Sequence, residues 1–115
     1  MAGEEQPSLF DGLAPLTPIR ARDHRTLTER FEAFDRANPQ VYSLIVRMAL
    51  DLAQRGRRFG VKMLYERLRY EYAVRTTDST PYKLDNCYTS RYARKLISAH
   101  PELAVWLETR ELRSV

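Results

Sequence analysis

The chain has little of what several protein classes require. Its 115 residues include a single cysteine, Cys87, so no disulfide can form within the chain. The four glycines are scattered, which excludes a glycine-rich phosphate-binding loop. No apolar run approaches the roughly 20 residues of a membrane-spanning helix, and the acidic start Met-Ala-Gly-Glu-Glu is unlike a secretion signal. We therefore expect a cytoplasmic protein, where an unpaired cysteine is usual.

Patterns of catalytic and metal-binding residues are also missing. His24 and His100 have no neighbour at the spacing of metal ligands, and Cys87 stands alone. Glu66 and Glu71 are next to arginines, so ion pairing explains them better than acid–base catalysis. The sequence thus predicts a non-enzymatic protein that needs no cofactor and no metal.

What the chain does have is positive charge, and most of it falls in one segment. The formal net charge is +4 at pH 7. Residues 55–95 carry 11 Lys and Arg against 4 Asp and Glu, whereas the rest of the chain is net negative. Such a segment favours a surface that attracts phosphate. The alternative is a solvated surface that only keeps the protein in solution.

Hydrophobic periodicity predicts one all-α domain of four or five helices over residues 26–115. A flexible tail is predicted over residues 1–25, which hold three of the six prolines. The predicted helices lie within about 28–38, 40–55, 61–73, 86–99 and 102–112, with a possible short β-hairpin at 74–84. We expect Thr28 and either Asp85 or Asn86 as N-caps, and Gly56 as the glycine that ends the second helix.

The helix predicted at 86–99 has the pattern most typical of DNA binding. Its polar side and its N-terminal end carry Thr89, Ser90, Arg91, Arg94, Lys95 and Ser98. Four of these residues are spaced i, i+3, i+4 and i+7, so they project from one side of the helix. A basic helix that follows another helix and a turn has the order of a helix-turn-helix, and the connection of about a dozen residues indicates a winged-type or other variant. The alternative is the solvent face of an amphipathic helix.

Four more cations complete the predicted nucleic-acid contacts: Arg57, Arg58, Lys62 and Arg69. Arg57 and Arg58 are interpreted as a phosphate anchor beside Phe59. The alternative, left open, is that they are cations complementing the dipole of the preceding helix. Lys62 and Arg69 fall on the polar side of the third predicted helix.

The tail contains one short motif, Gln6-Pro7-Ser8-Leu9-Phe10. It resembles the Gln-x-Ser/Asp-Leu-Phe pentapeptide by which many bacterial replication and repair proteins bind the sliding clamp. The resemblance implies a partner-binding role for Gln6, Ser8, Leu9 and Phe10, because a Leu-Phe pair is a good anchor for a hydrophobic pocket. The alternative is a Leu-Phe pair that packs on its own domain.

Two longer stretches carry a second resemblance. Residues 34–42 (FDRANPQVY) and 82–94 (YKLDNCYTSRYAR) resemble a family of small phage and prophage proteins, described as hypothetical or helix-turn-helix DNA-binding proteins. The resemblance spans about 30–112. It implies a phage origin and a helical DNA-binding-like fold, with Arg91 and Arg94 as candidate contacts. If the protein binds DNA, we expect it at the nucleoid of the bacterial host cell. Asp85 departs from the family pattern, in which a second asparagine is expected.

The sequence therefore predicts a phage-type protein that binds duplex DNA through the helix at 86–99. The alternative is a host-takeover adaptor or inhibitor that binds a host replication protein, the bacterial sliding clamp, through Gln6–Phe10. A third interpretation is a structural or assembly protein whose basic surface meets an acidic partner.

Overall fold

The computed structural model describes residues 8–20, 26–76 and 84–108. Its helices are α1 (Leu27–Ala37), α2 (Pro39–Gln54), α3 (Val61–Arg75) and α4 (Thr89–Ala99), with 3₁₀ turns at Asn86–Tyr88 and Pro101–Val105. Within these ranges there is no β-strand, and one isolated bridge joins Phe59 to Leu107. The predicted all-α fold is confirmed. None of the described helices is long and apolar enough to cross a membrane.

The start of α1 lies earlier than predicted. Thr26, not Thr28, is the N-cap: its hydroxyl accepts from the backbone N–H of Glu29 at 3.0 Å, and the Glu29 carboxylate accepts from Thr26 at 3.3 Å. A glutamate three residues after a threonine completes this reciprocal capping box, which a cap at Thr28 could not form. The helix ends before Asn38 because the following Pro39 disfavours the helical region there.

The ends of α2 and α3 follow local chemistry. Gly56 comes just after α2 with φ of +70°, so the glycine predicted at this helix end is confirmed. Helix α3 continues to Arg75, and Val74 and Arg75, predicted as part of a hairpin, are helical. The Arg75 guanidinium pairs with Glu71 at 2.6 Å, an i, i+4 contact that stabilises the last turn. The rest of the possible hairpin, 77–83, lies outside the described residues.

The segment after α4 differs from the predicted terminal helix. It is a 3₁₀ turn over Pro101–Val105, after which the chain bonds to Phe59. The N–H of Phe59 donates to the Trp106 carbonyl and the N–H of Glu108 donates to the Phe59 carbonyl, both at 2.9 Å. The predicted helix at 102–112 is therefore a 3₁₀ turn as far as Val105, and residues 106–108 are not helical. Before α4, the Asp85 carboxylate accepts from the Cys87 N–H at 2.9 Å and so caps the 3₁₀ turn Asn86–Tyr88. Helix α4 itself begins at Thr89, later than the predicted residue 86, and has no side-chain cap.

The core is unusually rich in aromatic rings. Phe31 meets Tyr92 edge to face, with ring centroids 4.8 Å apart, and Tyr65 lies 6.0 Å from Tyr92. Tyr65 and Tyr92 are fully buried, and burial raises the pKa of both hydroxyls. Both tyrosines lie on the predicted inner faces of their helices. Because these rings fix the rotation of α4, they also determine which of its side chains face outward.

Residues 8–20, here called the arm, lie against the domain, whereas composition predicted them as part of a flexible tail over 1–25. Phe10 is 4% exposed and Leu16 is 5% exposed. The Thr17 N–H donates to the Asn38 side-chain oxygen at 2.6 Å, and the Asn38 amide donates back to the Thr17 carbonyl at 2.8 Å. Burial of these apolar side chains, together with the hydrogen bonds, offsets the conformational entropy that the arm loses when it is ordered. Residues 1–7 and 21–25 lie outside the described residues.

Candidate nucleic-acid interface

Helix α4 presents a polar face away from the aromatic core. Its eleven residues include three cations and no Asp or Glu. Tyr92, Ala93 and Leu96 are buried, which leaves the other side of the helix toward solvent. On that side Arg94 and Ser98 are exposed, while Thr89, Ser90, Arg91 and Lys95 are partly buried.

Arg91 and Arg94 both lie on the side of α4 that faces away from the core. The Arg91 guanidinium donates to the hydroxyl of Thr28 in α1 at 3.2 Å, so this contact is with a neutral group. Arg94 is exposed on the outer side of the helix. Near the start of the helix the Thr89 hydroxyl donates to the Asn86 carbonyl at 3.1 Å, so it is engaged in holding the first turn. The two arginines are therefore the best-placed predicted contacts on α4.

Lys95 is engaged within the protein. Its ammonium pairs with Asp35 of α1, and it lies 4.2 Å from the centroid of the Tyr42 ring. The Lys95 side chain is 41% exposed, whereas that of Asp35 is 15% exposed, and the second Asp35 oxygen has no hydrogen-bond partner among the described residues. Losing Lys95 would leave a mostly buried carboxylate uncompensated. This predicted contact thus also joins α4 to α1.

Arg69 is also engaged within the protein, through four hydrogen bonds. It makes two hydrogen bonds to the Glu66 carboxylate, at 2.9 and 3.0 Å. The same guanidinium donates to the Leu84 carbonyl and, at 2.9 Å, to the Asn86 side chain. Arg69 therefore links α3 to the segment that leads into α4. Arg69, which was predicted to contact nucleic acid, therefore holds two parts of the protein together.

The Arg57–Arg58 connection is a second exposed basic element. Both arginines are exposed between α2 and α3, and Lys62 is exposed in the first turn of α3. The next residue after the pair, Phe59, is completely buried and is bridged to Leu107. An anchored Phe59 restrains the two arginines, so they form a positioned cation pair beside the segment that follows α4.

A charged ladder on α3 was not predicted as a site. The Glu71 carboxylate accepts from Arg67 at 2.7 Å and from Arg75 at 2.6 Å, and Arg75 also donates to Asp11 of the arm at 2.7 Å. The Arg67 guanidinium lies 5.0 Å from the centroid of the Phe10 ring. Burial alone would raise the pKa of Glu71, but hydrogen bonds from Arg75 and Arg67 hold it below its ordinary value. The i, i+4, i+8 spacing of this ladder was visible in the sequence, but its partner in the arm was not.

The described part of the pentapeptide motif, Ser8-Leu9-Phe10, lies at this ladder. The Ser8 hydroxyl accepts from the Phe10 N–H at 3.1 Å, and the Asp11 carboxylate accepts from the Ser8 N–H at 2.8 Å, which closes a tight turn. Phe10 is buried and Leu9 is half-buried against the domain. Gln6 lies outside the described residues. The structure thus shows the alternative in which Phe10 packs on its own domain.

Other reactive groups form no site in the described part of the chain. Cys87 is exposed, and a hydrogen bond with Asp85 followed by burial raises the pKa of its thiol. Within residues 8–20, 26–76 and 84–108, no three potential metal-ligating side chains come together. Comparisons of the chain with protein-family models, with curated proteins and with solved structures find no match.

Proposed function

We propose that this is a phage-type protein that binds duplex DNA through the outer face of α4 together with the Arg57–Arg58 connection. The observation that carries the proposal is the charge of α4, a helix with three cations and no carboxylate. One of its arginines, Arg91, bonds a neutral hydroxyl, and another, Arg94, is exposed. Such a surface attracts phosphates and offers guanidinium groups to base edges.

The arrangement of the elements supports this proposal. Helix α4 follows α3 and is held by buried aromatic rings, so its outer face is rigid. The major groove, about 12 Å wide, admits one helix, as in helix-turn-helix proteins. The Phe59–Leu107 bridge joins the turn before α3 to the segment after α4, an order that supports the winged-type variant. We propose that α4 enters the groove while Arg57 and Arg58 hold the phosphate backbone.

The contacts within the protein narrow the proposed DNA-binding set. Arg69 and Lys95 are paired with carboxylates and hold the scaffold together. The five other predicted cations are the ones proposed to contact DNA: Arg57, Arg58, Lys62, Arg91 and Arg94. No catalytic step and no cofactor is part of the proposed function.

A titration of labelled duplex DNA by fluorescence anisotropy tests the proposal. Arg94→Ala is expected to weaken binding by about 1–3 kcal/mol if the guanidinium reads a base, and less if it contacts only a phosphate. The control is Arg47→Ala, which removes the same charge from an exposed position of α2 and should leave DNA affinity unchanged. The proposal is wrong if the protein stays unbound at low salt on every duplex tested, or if Arg94→Ala binds as tightly as the parent.

The sliding-clamp adaptor stays a second prediction, on which the structure places a condition. Phe10 would have to leave its position beneath Arg67 before a clamp pocket could receive it. The arm must therefore detach at least as far as Asp11, which also breaks the ion pair with Arg75.

A further inference from the structure

An open groove separates α2 from α3 on the side where the arm lies, with a volume of about 940 Å³. Its apolar lining comprises Leu9, Phe10, Met48, Leu52, Met63 and Leu64. Arg67 of the groove and Arg69 near α4 lie on opposite sides of α3, because two residues turn a helix by roughly 200°. The groove lining includes none of the residues proposed to contact DNA.

The arm forms one wall of this groove through Ser8, Leu9 and Phe10, and its contacts show which side chains pack beside α3. Phe10 lines the groove, with the Arg67 guanidinium 5.0 Å from the centroid of its ring. The next residue, Asp11, pairs with Arg75 at 2.7 Å. An apolar side chain thus lies on the groove lining while the carboxylate beside it meets an arginine.

The rest of the groove is open to solvent and also combines apolar side chains with arginines. Met63 in its wall is 51% exposed. Arg47 on its rim has no hydrogen-bond or ion-pair partner among the described residues. Arg55 pairs with Asp51 at 3.1 Å, but both side chains are more than half exposed, so water screens this pair and Arg55 can pair anew.

The balance of charge on the rim decides what kind of partner fits. Three arginines and one carboxylate line the groove: Arg47, Arg55, Arg67 and Asp51. A cationic rim favours a negatively charged partner and disfavours a basic one. Methionines such as Met48 and Met63 adapt their shape to the side chains that pack on them.

We propose that this groove docks an acidic amphipathic helix of a partner protein. The apolar face of that helix would lie on Leu9, Leu52 and Met63, and its carboxylates would meet Arg47 and Arg55. This is the mode in which a helix lays one apolar face into a groove. It repeats, with a second chain, the pairing of apolar and acidic side chains that Phe10 and Asp11 already make.

The test uses the whole protein and a labelled amphipathic peptide of about 18 residues, with Leu and Phe on one helical face and Glu and Asp on the other. The reference peptide keeps the apolar face and carries Lys at every acidic position. Anisotropy should show saturable binding of the acidic peptide, about tenfold tighter than that of the basic one. Met63→Glu and Arg47→Glu should each weaken the acidic peptide by about tenfold.

Two control variants keep the outcome interpretable. Val74→Glu introduces a carboxylate at a position of α3 that is 58% exposed and outside the groove lining, so it should bind the peptide normally. Arg94→Glu should impair DNA binding while leaving peptide affinity within about twofold, and Arg47→Glu should do the reverse. The two proposals can therefore fail independently. Circular dichroism of each variant confirms that it is folded.

Three results would overturn the groove proposal. The first is equal affinity for the acidic and basic peptides. The second is a Met63→Glu variant that binds the acidic peptide like the parent. The third is self-association of the protein in sedimentation that Met63→Glu abolishes, because the occupant of the groove would then be a second copy of this chain.

Discussion

Phe10→Ala tests whether the arm is part of the folded domain. Phe10 is 4% exposed, and replacing a buried phenylalanine by alanine costs about 3–5 kcal/mol. Its site opens into the α2–α3 groove, where water and flexible side chains can fill the space. We therefore expect the lower end of that range, about 3 kcal/mol, including the lost contact with the Arg67 guanidinium.

Urea denaturation followed by circular dichroism measures the global loss for Phe10→Ala, and hydrogen exchange measures release of the arm. The informative amides are those of Phe10, Asp11 and Thr17, which are hydrogen-bonded in the parent. If the arm detaches alone, these amides lose protection while the global free energy of unfolding changes little. A loss below about 1 kcal/mol together with amides already unprotected in the parent would refute the packing argument and restore the flexible tail.

Packing of the arm also affects the clamp prediction. An isolated peptide of residues 1–12 should bind the clamp more tightly than the whole protein, because the whole chain must first release its arm. Gln6→Ala separates the two effects, since it removes the polar residue of the motif without touching the buried Phe10. Equal affinity of peptide and protein would show that the arm does not restrain the motif.

Two further outcomes follow from the same contacts. The buried Asn38 side chain bonds Thr17 at 2.6 and 2.8 Å, so Asn38→Ala should lower the free energy of unfolding by about 2 kcal/mol. The hydrogen bonds of Gln40 are longer, at 3.3–3.4 Å, so Gln40→Ala should lower it by less than about 0.5 kcal/mol. Equal losses in urea denaturation would contradict this difference. The pKa values of Asp11 and Glu71 are lowered from ordinary values of 3.8 and 4.5, so their stabilisation is complete above those values and is lost as the pH falls through the folded ones. The melting temperature should therefore decrease as the pH drops below about 4.5, and it should decrease less steeply in Asp11→Asn. Identical dependence of the melting temperature on pH in the two proteins would contradict the role of Asp11.

Local patterns were enough to predict most of the fold. The spacing of apolar residues predicted the inner face of α4, where Tyr92 and Leu96 are completely buried. Gly56 and Asp85 marked helix ends because their conformational and capping preferences act within a few residues. The end of α3 was misplaced because the Glu71–Arg75 pair outweighed the weak helix propensity of the residues that follow.

Contacts between distant parts of the chain could not be predicted from the spacing of residues in the sequence. The spacing of Lys95 on α4 was read correctly, but its partner Asp35 lies 60 positions earlier. Arg69 meets Asn86 across a segment that periodicity did not resolve. The arm is the same case: Phe10 is surrounded by prolines and glycines, and only the tertiary structure brings it to Arg67.

The salt dependence of DNA binding distinguishes scaffold cations from contact cations. Each phosphate neutralised adds about −0.9 to the slope of log affinity against log salt, so the five proposed cations give at most about −4.5 if all of them contact phosphates, and all seven predicted cations give about −6.3. Reaching the larger value would require Lys95 to leave Asp35, whose carboxylate would then be mostly buried and unpaired. Binding to a phosphate is screened by salt, whereas a partly buried pair is screened much less, so the internal pair should persist. A slope no steeper than about −4.5 therefore agrees with the narrowed set of five cations, and a slope near −6.3 would mean that α4 separates from α1 on the DNA.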